Sequence, residues 1–195
     1  MAECDVFHVY NSDRLGYVNR DRHLDEMKVD IGMFKEDNAK IRNQILQAVE
    51  GLSDEKLNQK PSPEEWSAIQ ILDHLQLMEK TIAKGVAHEL TKEDSHKAIK
   101  KPIGLTVSRS FKVKAPKHVV PTEEFVTLEE MKERLNASHN FLYEVYASAN
   151  SEQLKQKSMD HPVFGKVPLY QWFPFVGLHE KRHFKQLEKT LSKLD

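Results

Sequence analysis

The sequence predicts an all-α fold: a four-helix bundle with one long connection between its second and third helices. Three observations carry this expectation. Four stretches repeat apolar residues at alternating three- and four-residue steps, the period of a helix with one buried face. Two of those stretches open with a serine or threonine cap followed by Gln or Glu at the third helical position. The chain of 195 residues has only 7 glycines and 8 prolines, too few turn formers for many short strands.

The first helix is expected from Phe34 to Leu52, with Phe34, Ile41, Ile45, Val49 and Leu52 on its stripe and Gly51 at its end. Ser53 to Glu65 reads as a connector in which Ser62-Pro63-Glu64-Glu65 makes one capped turn. The second helix follows the box Ser67-Ala68-Ile69-Gln70, with Trp66 and Ile71 placed as a hydrophobic staple. Its apolar face is Ile71, Leu75, Met78, Ile82 and Val86; His74 falls on that stripe, and Gln76, Glu79 and Lys80 are assigned to the wet face.

Residues 88–126 then form the long connection. Between Ser95 and Pro121 it carries Lys97, Lys100, Lys101, Arg109, Lys112, Lys114 and Lys117 and no acidic residue, and Pro116 and Pro121 break any continuous helix. It is either a solvated basic crossover or a lid offering positive charge to an anionic substrate. The third helix starts at the box Thr127-Leu128-Glu129-Glu130 and buries Met131, Leu135, Leu142, Val145 and Tyr146, with His139 one step off the stripe. Ser148 to Lys157 closes it or adds a polar turn, and His161 to Pro168 is a turn or short extended excursion. The fourth helix is expected from Pro168, or less simply from beyond Pro174, with Pro174 and Gly177 weakening its first half. Its stripe is Val176, His179, His183, Leu187, Leu191 and Leu194.

Composition narrows the class. Hydrophobic residues at 39% and charged residues at 30% describe a soluble globular chain. A net charge of −1 gives no global bias toward nucleic acid or membrane, and the basic connection offers only Phe111 for base stacking. The single cysteine, Cys4, forms no internal disulfide and fits a cytoplasmic, reducing location. No apolar run approaches the ~18 residues of a spanning helix, and residues 1–30 lack the apolar core of a signal peptide. Those 30 residues read as an N-terminal arm, in which Val6, Phe7, Val9 and Tyr10 offer a short strand or anchor and His8 and His23 lie at the surface. Residues 31–195 form one domain.

Chemistry concentrates in three histidines. His179 and His183 stand four residues apart, so both imidazoles leave the same helix face. His74 occupies an equally apolar position on the second helix. A lone histidine on such a face is ordinarily a core residue with a hydrogen-bond partner. Three of them share a demand that one divalent ion would meet at once, because each neutral ring has one acceptor nitrogen. A metal-free core of three hydrogen-bonded histidines is the structural alternative.

His179-Glu180-Lys181-Arg182-His183 also spells the H-E-x-x-H of zinc metalloproteases. That reading fails on length, since only twelve residues follow His183 and Glu188 is the sole carboxylate before Asp195. Glu180 lies about 60° around the helix from His183. It is a weak catalytic candidate, with a solvated glutamate paired to a nearby base as the plainer reading. Asp160 is the other weak candidate, and Asp73 or Asp160 could orient a ligand imidazole.

Trp66-Ser67, followed by His74-Leu75, resembles the W-S-x-x-x-x-x-x-H-L signature of the DinB/YfiT-like superfamily. The segment from Gly165 to Gln186, with His179-x-x-x-His183, resembles its C-terminal helix. The likeness covers about Phe34 to Leu191. It implies a four-helix bundle holding a divalent metal, zinc or nickel, through three histidines, which by position are His74, His179 and His183. It further implies one of two activities. The first is metal-dependent hydrolysis of a small-molecule substrate by activated water. The second is thiol S-transfer of the bacillithiol type, with a low-molecular-weight thiol as co-substrate. A non-catalytic metal-binding or stress-response interaction module is the remaining class. The expected partner is a small molecule, without nucleic acid or membrane, and a homodimer is left open as the assembly.

Overall fold

The computed structural model describes residues 34–108 and 115–194. The N-terminal arm, with Cys4, His8 and His23, lies outside the described residues, as do Arg109, Phe111, Lys112 and Lys114 of the basic connection. Four long helices make the body: α1 over 34–49, α3 (Ala68–Thr91), α4 (Leu128–Ser148) and α6 (Leu169–Leu191). Two short helices, α2 (Asp54–Asn58) and α5 (Ser151–Gln156), sit in the connectors. An antiparallel hairpin of β1 (Ser158–His161) and β2 (Gly165–Pro168) leads into α6, pairing Met159 with Val167 and Asp160 with Lys166. The all-α bundle expected from the sequence is present, with this hairpin as its one extended feature among the described residues. No described helix is long and apolar enough to cross a membrane.

Local signals set the boundaries. Ser67 accepts from the Gln70 amide at 3.2 Å while Gln70 Oε1 accepts from the Ser67 amide at 3.1 Å, completing the capping box of α3. Thr127 caps α4 by accepting from the Glu130 amide at 3.2 Å, and Gly51 takes the left-handed φ of +77° after α1. The capped turn at Ser62–Glu65 is present, closed by a 3.1 Å backbone bond. The second helix runs past Val86 to Thr91, so the connection begins later than expected. The reason lies in another segment. Lys157 donates from its ammonium group to the carbonyls of Glu89, Leu90 and Lys92, satisfying acceptors that a helix end leaves open.

The fourth helix begins at Leu169, directly after Pro168, and continues through Pro174 and Gly177. Gly177 marks a close approach of α1. A Cβ there would stand 2.0 Å from Asn38 Oδ1, and Asn38 is itself held by a 3.0 Å bond from Nδ2 to the Phe173 carbonyl.

The apolar core is divided in two. One cluster, with Ile82, Val86, Leu142, Tyr146 and Phe173, lies toward the hairpin. The other, with Ile45, Ile71, Leu75, Met131, Leu135 and Leu187, lies toward the start of α3. Between them each long helix contributes a polar side chain: Arg42, Glu79, Ser138 and Glu180, all buried. This layer overturns the assignment of Gln76 and Glu79 to a wet face, since they are only 8% and 1% exposed. Gln76 is satisfied by Asp73 at 2.9 Å, and Glu79 by Arg42 at 3.0 Å, Ser138 at 2.5 Å and His139 at 3.0 Å. Lys80 is exposed as expected.

Candidate metal centre

α3 and α6 pack side by side, and their contact brings His74 to His179 and His183. One ring nitrogen from each of the three lies within 4.8 Å of the others. Ring centroids are separated by 5.2 Å (His74 to His179), 4.8 Å (His74 to His183) and 4.5 Å (His179 to His183). A zinc ion bound at ~2.0–2.1 Å to each of three tetrahedrally placed nitrogens would hold them about 3.3 Å apart. Small side-chain rotations bridge that difference. His74 is buried, whereas His179 keeps partial exposure. Trp66 lies 4.9 Å from the His74 ring and Phe175 stacks at 6.2 Å from His179, giving the centre apolar walls.

The hydrogen bonds set the tautomers of two of these rings. His74 Nδ1 lies 2.7 Å from the Val119 carbonyl, a group that only accepts, so Nδ1 carries the proton and Nε2 keeps its lone pair. His183 Nδ1 is paired with Gln186 Oε1 at 3.1 Å, an acceptor that keeps the proton on Nδ1. Burial pushes the His74 pKa below its ordinary value. Burial, then the neighbouring His183 and His74, push that of His179 well below. Neutral imidazoles are the form a divalent ion requires, and an all-imidazole donor set suits first-row divalent ions. The residues therefore fit the group.

The carboxylates are placed differently from expectation. Asp73 does not orient His74; its oxygens accept from the Thr122 amide at 2.8 Å and from Gln76, with Arg134 at 3.6 Å. The Val119 carbonyl takes that orienting role. Asp160 lies on β1 with its side chain 79% exposed, 3.8 Å from the Lys166 ammonium. Glu180 is not solvated. It is 2% exposed and accepts from Arg42 Nε at 2.9 Å and from Arg42 Nη2. Burial raises its pKa against the pull of Arg42. Burial would raise Glu79 too, but the bonds from His139, Arg42 and Ser138 outweigh it and hold that carboxyl below its usual range. His139 belongs to this buried network and not to the metal cluster.

Two contributors escaped the sequence reading. Arg42 carries a visible signal, since it sits three residues before Ile45 on the apolar side of α1. Val119 carries none, because its contribution is a main-chain oxygen. The connection that supplies it is fastened over α3 and α6. Gln171 brackets the backbone of Lys101 with bonds of 2.7 and 2.8 Å, Arg182 donates to the carbonyls of Thr106 and Ser108, and Gln70 donates to the Thr122 carbonyl at 3.0 Å.

Fold and site together define a helical-bundle protein with a three-histidine, metal-ligand cluster between two facing helices. A family model described as the DinB superfamily matches residues 39–187, and the chain belongs to that superfamily. It is 37% identical over 147 residues to the uncharacterized protein YuaE of Bacillus subtilis (strain 168), covering 75% of this chain and 90% of that protein. Among solved structures it is similar to TT2238, titled a four-helix bundle protein, with a TM-score of 0.56 and 17% identity over 82% of this chain and 98% of the other. At that identity the likeness concerns the fold alone.

Proposed function

We propose that this protein is a metal-dependent hydrolase of the DinB/YfiT type acting on a small-molecule substrate. The observation that carries the reading is the convergence of three imidazole nitrogens within 4.8 Å, two of them with tautomers set by Val119 and Gln186. A divalent ion, zinc or nickel, held by His74, His179 and His183 would supply Lewis acidity and lower the pKa of a bound water to ~7. The protein's own contribution is to hold three imidazole donors in place. Trp66 packs against the His74 ring and Phe175 against that of His179, and the partly exposed side of His179 admits the substrate.

A second reading, thiol S-transfer with a low-molecular-weight thiol, is favoured by the engagement of the carboxylates. Glu180 is committed to Arg42 and Asp73 to Thr122 and Gln76, while Asp160 faces solvent. A thiolate nucleophile needs no such base once its proton is lost. Elemental analysis of the purified protein is expected to find about one divalent ion per chain, lost in His179→Ala and His183→Ala; stoichiometric metal persisting in both would sink the site. The metal-loaded protein is then incubated with an electrophile, with and without the thiol. Thiol-independent turnover selects hydrolysis, and turnover only with thiol selects transfer.

A further inference from the structure

A cavity of about 770 Å³ lies between the first half of α1, the turn of residues 100–104 and one face of α6. It does not include the histidine cluster. Its α6 lining includes Pro174, Leu178 and Lys181, positions roughly 100–180° around the helix axis from His179 and His183. The two sites thus occupy different faces of the same helix.

The lining has two chemical parts. Its floor is apolar, from Phe34, Ile41, Ile103, Pro174 and Leu178. Its rim carries four ammonium groups, of Lys40, Lys100, Lys101 and Lys181, against one carboxylate, Asp37. None of these four lysines joins an ion pair among the described residues, unlike Lys60, Lys92, Lys166 and Lys193. A concave surface concentrates the field of like charges, so this mouth attracts anions. The frame is already built. Gln171 is buried and clamps both backbone groups of Lys101, and Asn38 is buried and bonded to the Phe173 carbonyl. Little ordering cost therefore falls on a ligand, and the volume lies within the ~300–1,000 Å³ typical of small-molecule sites.

We propose that this cavity is a second binding site, for an anionic small molecule with an apolar body. Its acidic group, carboxylate, sulfonate or phosphate, meets the lysine rim and its apolar part rests on the floor. The site stands independently of the metal reading.

The test uses the full chain and two fluorescent probes that differ by one acidic group, 8-anilinonaphthalene-1-sulfonate and the uncharged N-phenyl-1-naphthylamine. The sulfonate is expected to bind saturably at about one per chain and to lose affinity by roughly tenfold or more in Lys100→Glu/Lys181→Glu. Far-ultraviolet circular dichroism checks that the double variant is folded. The neutral probe is expected to bind at least about tenfold more weakly than the sulfonate and to be insensitive to that change. His179→Ala is expected to leave sulfonate binding unaltered. Absence of saturable binding, equal affinity for the two probes, or loss of binding in His179→Ala would each overturn the proposal. A second variant, Lys40→Glu/Lys101→Glu, guards against a misfolded first one and carries the same expectation.

Discussion

Glu180 follows His179 directly in the chain, yet its carboxylate points into the bundle and takes a 2.9 Å hydrogen bond from Arg42 Nε, joining α6 to α1. Arg42 is shared with Glu79 of α3, so one guanidinium compensates two buried carboxylates beside the histidine cluster. Removing it leaves both acids without their cation. Arg42→Met is expected to destabilise the fold by about 3–5 kcal/mol, because an orphaned buried charge costs more than the pair contributes. Urea unfolding measures this. The triple change Arg42→Met/Glu79→Gln/Glu180→Gln should recover much of the loss, and no recovery would show that the arginine acts through packing.

Ion removal should be felt by the whole fold, since the three ligands join two helices. A chelator is expected to lower the thermal midpoint. The corresponding loss is ~4 kcal/mol if the ion is present at about a thousand times its dissociation constant. His74→Ala should abolish the difference between chelated and metal-loaded samples. An equal chelator effect in that variant would place the ion elsewhere.

Gln186→Leu removes the acceptor that holds the proton of His183 on Nδ1. Outer partners of this kind are worth about 10–100-fold in metal affinity. Competition with a fluorescent zinc chelator is expected to show a loss in that range with the helical content unchanged. Gln186→Glu, which preserves an acceptor, should retain most of the affinity.

Acid should weaken the metal-free protein. His74 and His179 are held below their ordinary pKa of 6.5 in the fold, both chiefly by burial. The unfolded chain therefore takes up protons that the folded chain refuses as pH falls through that value. Their contribution is complete above it and is lost toward lower pH, by up to about 1.4 kcal/mol per group per pH unit. Urea midpoints are expected to fall between about pH 8 and about pH 5.5, and less steeply in His179→Gln. A slope unaffected by that substitution would assign the acid sensitivity to other groups.

Gly177→Ala places a methyl group 2.0 Å from Asn38 Oδ1, and Asn38 cannot withdraw without giving up its bond to Phe173. A loss of about 1–3 kcal/mol is expected. Combining it with Asn38→Ala should cost less than the sum of the two single changes, a coupling that a double-mutant cycle reads directly.

The long helices were legible because burial leaves a period in the sequence and capping leaves a spelling. Ser67 with Gln70 and Thr127 with Glu130 mark the starts of α3 and α4 to the residue. The three histidines were legible for the same reason, as polar residues on apolar stripes. Glu79 was not. Position along a helix says which way a side chain leaves the axis, but burial of an acid depends on a cation from another helix, and Arg42 is 37 residues away. The end of α3 was misjudged on similar grounds, because the group that satisfies its last carbonyls, Lys157, belongs to a distant turn.

The orienting partner of His74 is the peptide oxygen of Val119. Any residue at position 119 supplies the same oxygen, so replacing this valine with alanine leaves the acceptor in place. What positions it is the course of the chain through 116–122, with Val119 itself buried as the anchor and Thr122 tied to Asp73. Alanine at position 119 therefore keeps the acceptor and loses only part of its anchor, whereas inserting or deleting one residue nearby will detune the histidine. The tolerance of the centre to change is written in loop length more than in loop composition.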